Sequence, residues 1–233
     1  TGRRIPLNIV LLPAIGTDVD PDPLFFLAGA PRQGAAQMGQ EVRQIFRRVL
    51  RTRDVVLVDQ RGTGKSNPLD CRSESNTLAD LTEGDASALE RLRRCLESYD
   101  ADVRLYTTTI AMDDLDDVRA HLGYQLINLY GGSYGSRAAL VYLRRHEAHV
   151  RSLILDGVSP TDMRIPLFVA RDAQRALDKL LAACASDSTC DAAYPSLGAR
   201  VRSLLERVET SPPRVRMAHP RTGIVEEVQV EAR

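Results

Sequence analysis

The sequence predicts an α/β fold, a mostly parallel sheet covered by helices. Short apolar runs such as VVLV at 55–58 and Leu126 to Leu129 lack the alternation of a half-wet strand, so both of their faces should be buried. Segments with apolar residues at helical spacing separate those runs. The third observation is capacity: 233 residues at 43% hydrophobic content can close a sizeable core.

The elements follow in order. Residues 5–12, IPLNIVLL, read as a strand, and the turn-rich GTDVDPDP separates them from a second apolar run, Leu24 to Leu27, which ends in Ala28-Gly29-Ala30-Pro31. Gln40 to Arg51 carries Val42, Ile45, Phe46 and Leu50 at helical spacing, with arginines on the other face, and runs into the strand 55–58. Ser87 to Ser98 and Thr109 to Leu122 read as helices, the second with a stripe of Ile110, Met112, Leu115, Val118 and Leu122. A strand at 126–129, a helix from Ser133 to Arg145 and a strand at Leu153 to Leu155 complete the series. From Ile165 the texture changes. Phe168 to Ala185 and Leu197 to Val208 are two amphipathic helices with no strand between them, and Val215 to Met217, the turn HPRTG and Ile224 to Val230 read as a hairpin. That segment fits an insertion better than a continuation of the sheet.

Charge and composition exclude several classes of function. Thirty-one basic residues balance thirty-one acidic ones and are scattered, so no field draws in nucleic acid or an anionic membrane. No apolar run approaches the roughly 18 residues of a membrane span, and no charged-then-apolar leader is present. The chain opens with Thr1, which a removed leader or a trimmed sequence would each explain. Cys71 with Cys95 and Cys184 with Cys190 each close a short local loop, the pattern of disulfide staples in an exported protein, the alternative being four buried thiols.

The stretch DVVLVDQRGTGKS ends like a phosphate-binding loop. Such a loop needs a glycine five positions before Gly64, and Asp59 stands there, where its carboxylate would repel a phosphate. Asn67-Pro68 opens a turn where the helix of a nucleotide site should start. Another role is required for this loop.

The segment LINLYGGSYGSRAALVYL holds the most specific chemistry. A strand runs into Gly131-Gly132-Ser133-Tyr134-Gly135 and then into a helix. A serine on a sharp strand-to-helix turn is forced into a strained conformation, and glycines two positions to either side relieve the crowding. Its hydroxyl is lifted clear of the sheet at a helix N-terminus, where free N–H groups favour the anion formed when a carbonyl is attacked. A plain glycine-rich turn remains the alternative.

Together DVVLVDQRGTGKSNP, MDDLDDVRAHLGYQLINLYGGSYGSRAALVYLRRH and VRSLILDGVSP resemble the α/β-hydrolase superfamily, and within it the proline iminopeptidase and tripeptidyl aminopeptidase branch, whose exported members carry a TAP-like C-terminal region. The resemblance spans residues 5 to about 165. It implies that residues 1–164 are the N-terminal part of the hydrolase core and that 165–233 begin a helical cap. It makes Asp59, Arg61 and Ser66 structural residues of the site's floor. It gives Ser133 the role of nucleophile and the backbone N–H groups of Ala30 and Tyr134 the role of oxyanion donors. The family's G-G-P-G oxyanion loop reads Gly29-Ala30-Pro31-Arg32 here, and Arg32 would be strained if that position takes a positive φ.

The family order is serine, then acid, then histidine. His121 and His146 sit at helix C-termini, where a cation complements the dipole; His149 lies at the wrong end of the sheet; His219 falls in the predicted hairpin turn. Asp156, ending the strand after the nucleophile helix, is a weak candidate for the acid. The resemblance therefore implies that acid and histidine come from later strands, either in a C-terminal half of the same precursor cut into a separate chain or in the rest of a protein of which these residues are a fragment, and that this chain alone lacks the complete triad. The implied function is an exported aminopeptidase working through an acyl-enzyme on Ser133, with no cofactor and no metal. An esterase or amidase of the same fold, or a non-catalytic binding protein on a hydrolase scaffold, are the alternatives.

Overall fold

The computed structural model describes residues 4–30, 33–70, 85–220 and 222–230. They fall into two compact units, one built from 4–70 and 98–163, the other from 85–97 and 164–230.

The first unit is a five-stranded sheet in the order β1-β3-β2-β4-β5, with β1 Ile9–Leu12, β2 Leu24–Leu27, β3 Val55–Val58, β4 Ile127–Gly132 and β5 Val150–Asp156. Strand β1 runs antiparallel to β3, and every other pairing is parallel. The runs LFFL and VVLV are buried at every position because they lie inside the sheet with helices over both faces. Successive side chains alternate between those faces. Phe25, Leu27, Val56, Val58, Ile127 and Leu129 pack against Met112, Leu115 and Val118 of α3, Thr108–His121, and against Ala138, Ala139 and Tyr142 of α4, Tyr134–His146. Leu24, Phe26, Val55 and Leu57 face the other way, onto Leu50 and onto Val42 of α1, Gly39–Ile45.

The predicted helix 40–51 is interrupted. Helix α1 ends at Ile45, Phe46 leaves the helical conformation, and a 3-10 turn follows at Val49–Arg51. The break lets Val42, Phe46 and Leu50 all reach the sheet, and leaves Ile45, expected inside, 68% exposed. The first strand is also shorter than the 5–12 run, pairing only from Ile9.

The second unit contains α2, Asp85–Ser98, then α5, Val169–Ser186, α6, Ser188–Ala193, and α7, Leu197–Thr210, and a hairpin of β6, Arg214–Ala218, and β7, Val225–Gln229. The disulfide Cys184–Cys190 ties the end of α5 to α6. The pairing of Cys71 with Cys95 lies outside the described residues, since Cys71 is not among them.

Candidate active site

The sheet order locates the site before any side chain does. From β2 the chain passes through α1, on one face, to β3; from β4 it passes through α4, on the opposite face, to β5. Strands β2 and β4 are neighbours, with Leu27 paired to Gly131, so the loops leaving their carboxyl ends part to opposite faces. A crevice opens where strand order reverses in this way, and ligands bind there.

Ser133 stands at that point, exposed, between β4 and α4. Its backbone has φ 51 and ψ −117, a positive φ that costs a non-glycine residue of order 1–3 kcal/mol. Three contacts hold it there. The Ser133 N–H donates to the Asp156 peptide oxygen at 2.8 Å, and the Ser133 carbonyl accepts from both the N–H and the hydroxyl of Ser136. The flanking glycines are steric necessities: a Cβ on Gly131 would lie 2.2 Å from the Gly135 oxygen, and one on Gly135 would lie 2.2 Å from the Leu27 oxygen. The Ser133 side chain does not cap its own helix, so its hydroxyl is uncommitted there.

Tyr134 opens α4, and first-turn N–H groups have no partner within their helix. Its phenol is anchored to Thr108 Oγ1 at 2.9 Å and to Gln60 Oε1 at 3.3 Å. Ala30 is exposed at the end of β2, and a Cβ on the preceding Gly29 would touch the Ser133 Cβ at 3.5 Å. The turn after β2 and the turn holding Ser133 are thus in contact. Arg32 lies outside the described residues.

The glycine-rich loop after β3 wraps a carboxylate of its own. Asp59 is fully buried and accepts from the N–H of Ala36 at 2.8 Å, the N–H of Lys65 at 3.0 Å and the Asn8 amide at 2.8 Å. Gly34 and Gly64 crowd it so closely that a Cβ on either would strike its oxygens, at 2.8 and 2.1 Å. The N–H groups that a phosphate-binding loop would offer to a ligand are here spent on a side chain. Ser66, also fully buried, accepts the Asn8 N–H, and Arg61 forms a two-pronged ion pair with Asp114. All three side chains are consumed by structure, and the loop delivers Gln60 to the Tyr134 phenol.

No described histidine of this unit approaches Ser133. His121 ends α3 and His146 ends α4, a full helix length from the serine, and His149 precedes β5, at the opposite end of the parallel strands from Ser133. His219 belongs to the hairpin turn of the second unit, its Nδ1 accepting the Thr222 N–H. Asp156 does stand beside Ser133 on the next strand, but its carboxylate is engaged by the Tyr130 hydroxyl at 2.6 Å. That bond, reinforced by burial, pushes the phenol's pKa up and keeps its proton in place.

The histidines have a different task. Among the described residues, Asp116, His146 and His149 bring possible metal-ligand atoms within 4.8 Å of one another. Asp116 already accepts from Arg119, Tyr142 and His149, at 2.7, 2.8 and 2.8 Å, and Asp113 accepts from Arg145 and His146. Burial works against ionisation of Asp116, but the bonds from Arg119, Tyr142 and His149 outweigh it and hold the carboxyl well below the usual range. Two guanidinium groups neutralise the two carboxylates, so a dication would meet cations rather than free anions. The cluster is a clasp between α3 and the end of α4. The sequence assigns His146 to the helix dipole and His149 only to the wrong end of the sheet; neither reading includes their aspartate partners, 33 positions upstream.

Comparison with known proteins agrees with this geometry. The family model for the alpha/beta hydrolase fold matches residues 22–194. A proline iminopeptidase of Neisseria gonorrhoeae is 32% identical over 137 residues, covering 58% of this chain and 32% of that protein. The serine protease Hip1 of Mycobacterium tuberculosis is 27% identical over 207 residues, 81% of this chain and 39% of that one. The chain thus spans well under half the length of these relatives. The crystal structure of proline iminopeptidase from Mycobacterium smegmatis superposes with a TM-score of 0.52 at 17% identity, covering 95% of this chain and 64% of that chain, a likeness of fold. With the family model matching most of the chain and the parallel sheet carrying its serine turn at the switch point, the chain belongs to the alpha/beta hydrolase family.

Proposed function

We propose that this chain carries the nucleophile of a serine hydrolase, an exported aminopeptidase of the proline iminopeptidase or tripeptidyl aminopeptidase type. The Ser133 oxygen attacks the carbonyl carbon of the scissile bond, and the carbonyl oxygen becomes an oxyanion that accepts the N–H groups of Tyr134 and Ala30. The C–N bond breaks, the leaving amine takes the proton that came from Ser133, and water then hydrolyses the acyl-enzyme. The imidazole that carries that proton, and its acid, belong outside the described residues. The observation that carries this reading is the exposed Ser133 hydroxyl held at φ 51 on a turn that tolerates only glycine on either side. A peptide substrate is supported by relatives that bear the names of a proline iminopeptidase and a serine protease. Export is supported by the disulfide Cys184–Cys190, a bond that persists in oxidising compartments.

Labelling the full-length protein with a fluorophosphonate probe tests the nucleophile: the label should map to Ser133 and vanish in Ser133→Ala. A protein that stays unlabelled is a binding module on a hydrolase scaffold. Peptide p-nitroanilides against p-nitrophenyl esters then test the substrate class, and turnover of esters alone would remove the peptidase assignment.

A further inference from the structure

We infer that Ser136 is a positioning residue for the oxyanion site, setting the direction and strength of the Tyr134 N–H from behind; this rests on the reading of Ser133 as the nucleophile. The Ser133 carbonyl and the Tyr134 N–H belong to one peptide group, which is planar and trans, so the two point in opposite directions. Whatever fixes the carbonyl aims the N–H.

Two donors fix it, both from Ser136. Its N–H reaches the Ser133 oxygen at 3.0 Å, and its hydroxyl reaches the same oxygen at 2.5 Å. The Ser136 side chain is itself fully buried, and its oxygen accepts the N–H of Ser159 at 2.8 Å, from the loop after β5. A hydroxyl has one proton, and the incoming Ser159 N–H occupies a lone pair, so the geometry leaves the proton on the line to Ser133. The clamp is thus locked at both ends, to the Ser133 turn on one side and to the loop after the neighbouring strand on the other.

The clamp has two consequences. It holds a peptide whose φ 51 and ψ −117 would relax if the carbonyl could swing, and an oxyanion donor turned from its target loses most of its worth. It also draws electron density toward the carbonyl oxygen, which makes the N–H on the far side of the same amide a stronger donor. Tyr134 is steadied independently through its phenol by Thr108 and Gln60, so the Ser136 effect falls on the peptide plane rather than on the ring.

The test uses the full-length protein and a fluorophosphonate probe, whose reaction builds negative charge on the phosphoryl oxygen. The maximal inactivation rate kinact and the probe affinity KI are measured for the unmodified protein, Ser136→Ala and Ser136→Cys, at a temperature where circular dichroism shows each fully folded. Ser136→Ala should lose about 10- to 100-fold in kinact with KI unchanged. Ser136→Cys, close in size and a weaker donor, should fall between, and stands alone as the test if the alanine variant does not fold. Equal kinact across the variants, or losses that appear equally in KI, overturn the inference while leaving the nucleophile standing. An unmodified protein that takes no label overturns the reading of Ser133 first.

Discussion

The Ser133 N–H and the Asp156 peptide oxygen are joined at 2.8 Å, so the turn at the end of β4 is tied to the last residue of the neighbouring strand. Tyr130 adds a second tie, donating its hydroxyl to the Asp156 carboxylate while stacking on Phe26 at 5.5 Å. The serine's strained backbone is therefore held by the sheet, and the variants that loosen it are predictable.

Gly135, like Gly131, leaves no room for a side chain. A methyl group there would lie 2.2 Å from the backbone oxygen of Leu27, which cannot move without tearing β2 from the sheet. Gly135→Ala should cost about 3 kcal/mol in urea denaturation. Gly123→Ala is the control: its φ is +81 but nothing lies within 4 Å, so only backbone strain of about 1–2 kcal/mol remains. Equal costs for the two would refute the packing argument.

Asp59 is a structural carboxylate. In Asp59→Asn one oxygen becomes an NH2 group that faces donors, leaving at least one of the Ala36, Lys65 and Asn8 groups unmatched. Stability should fall by about 2–3 kcal/mol. ATP should not shift the melting temperature of the unmodified protein, because the loop's N–H groups are already taken. A nucleotide-dependent rise would show that the loop opens to bind phosphate.

Acid should weaken the α3–α4 clasp. Asp113 is held below the usual carboxylate range by its bonds to Arg145 and His146, against burial, and Asp116, despite its burial, is held well below it too by the bonds from Arg119, Tyr142 and His149. With folded values depressed below an unfolded value of about 3.9, their stabilisation is complete above about pH 5 and disappears as pH falls through the folded values. Asp116→Asn should therefore be less stable at pH 7 by about 3 kcal/mol, with Arg119 left without its anion, and its stability should depend less steeply on pH between about 4 and 2. An unchanged acid limb would argue against the clasp.

Removing the disulfide should act within the second unit. Cys190→Ser opens the small loop from Cys184, and chain entropy alone puts the loss at about 2 kcal/mol. Amide exchange should quicken at the end of α5 and in α6, with β2 and β4 unaffected. Faster exchange in the sheet would mean that the two units unfold as one.

What was legible in the sequence follows from range. The strands 24–27 and 55–58 and the helices on either side of the sheet were readable because buried runs and helical spacing are local patterns. The continuity of 40–51 was misread, since the spacing of Val42, Ile45, Phe46 and Leu50 cannot show that the chain must bend to bring three of them onto one sheet face. The one available sign of Ser136 was a small hydroxyl residue in the first turn of α4, which reads equally well as a helix-capping preference.

The serine turn was legible from the chain alone, because glycine at 131 and 135 is demanded by contacts within a few residues or with the strand alongside. The chain alone also argues against a phosphate site in the DQRGTGKS loop, since Asp59 occupies the position where a phosphate loop needs a glycine. The partners of the buried polar groups came from folding: Asn8 and Ala36 on Asp59, Ser159 on Ser136, Asp113 and Asp116 on the two histidines. Those partners come from 23 to 51 positions away, and a hydrogen bond leaves no periodicity in the chain; it exists once the sheet has brought its ends together.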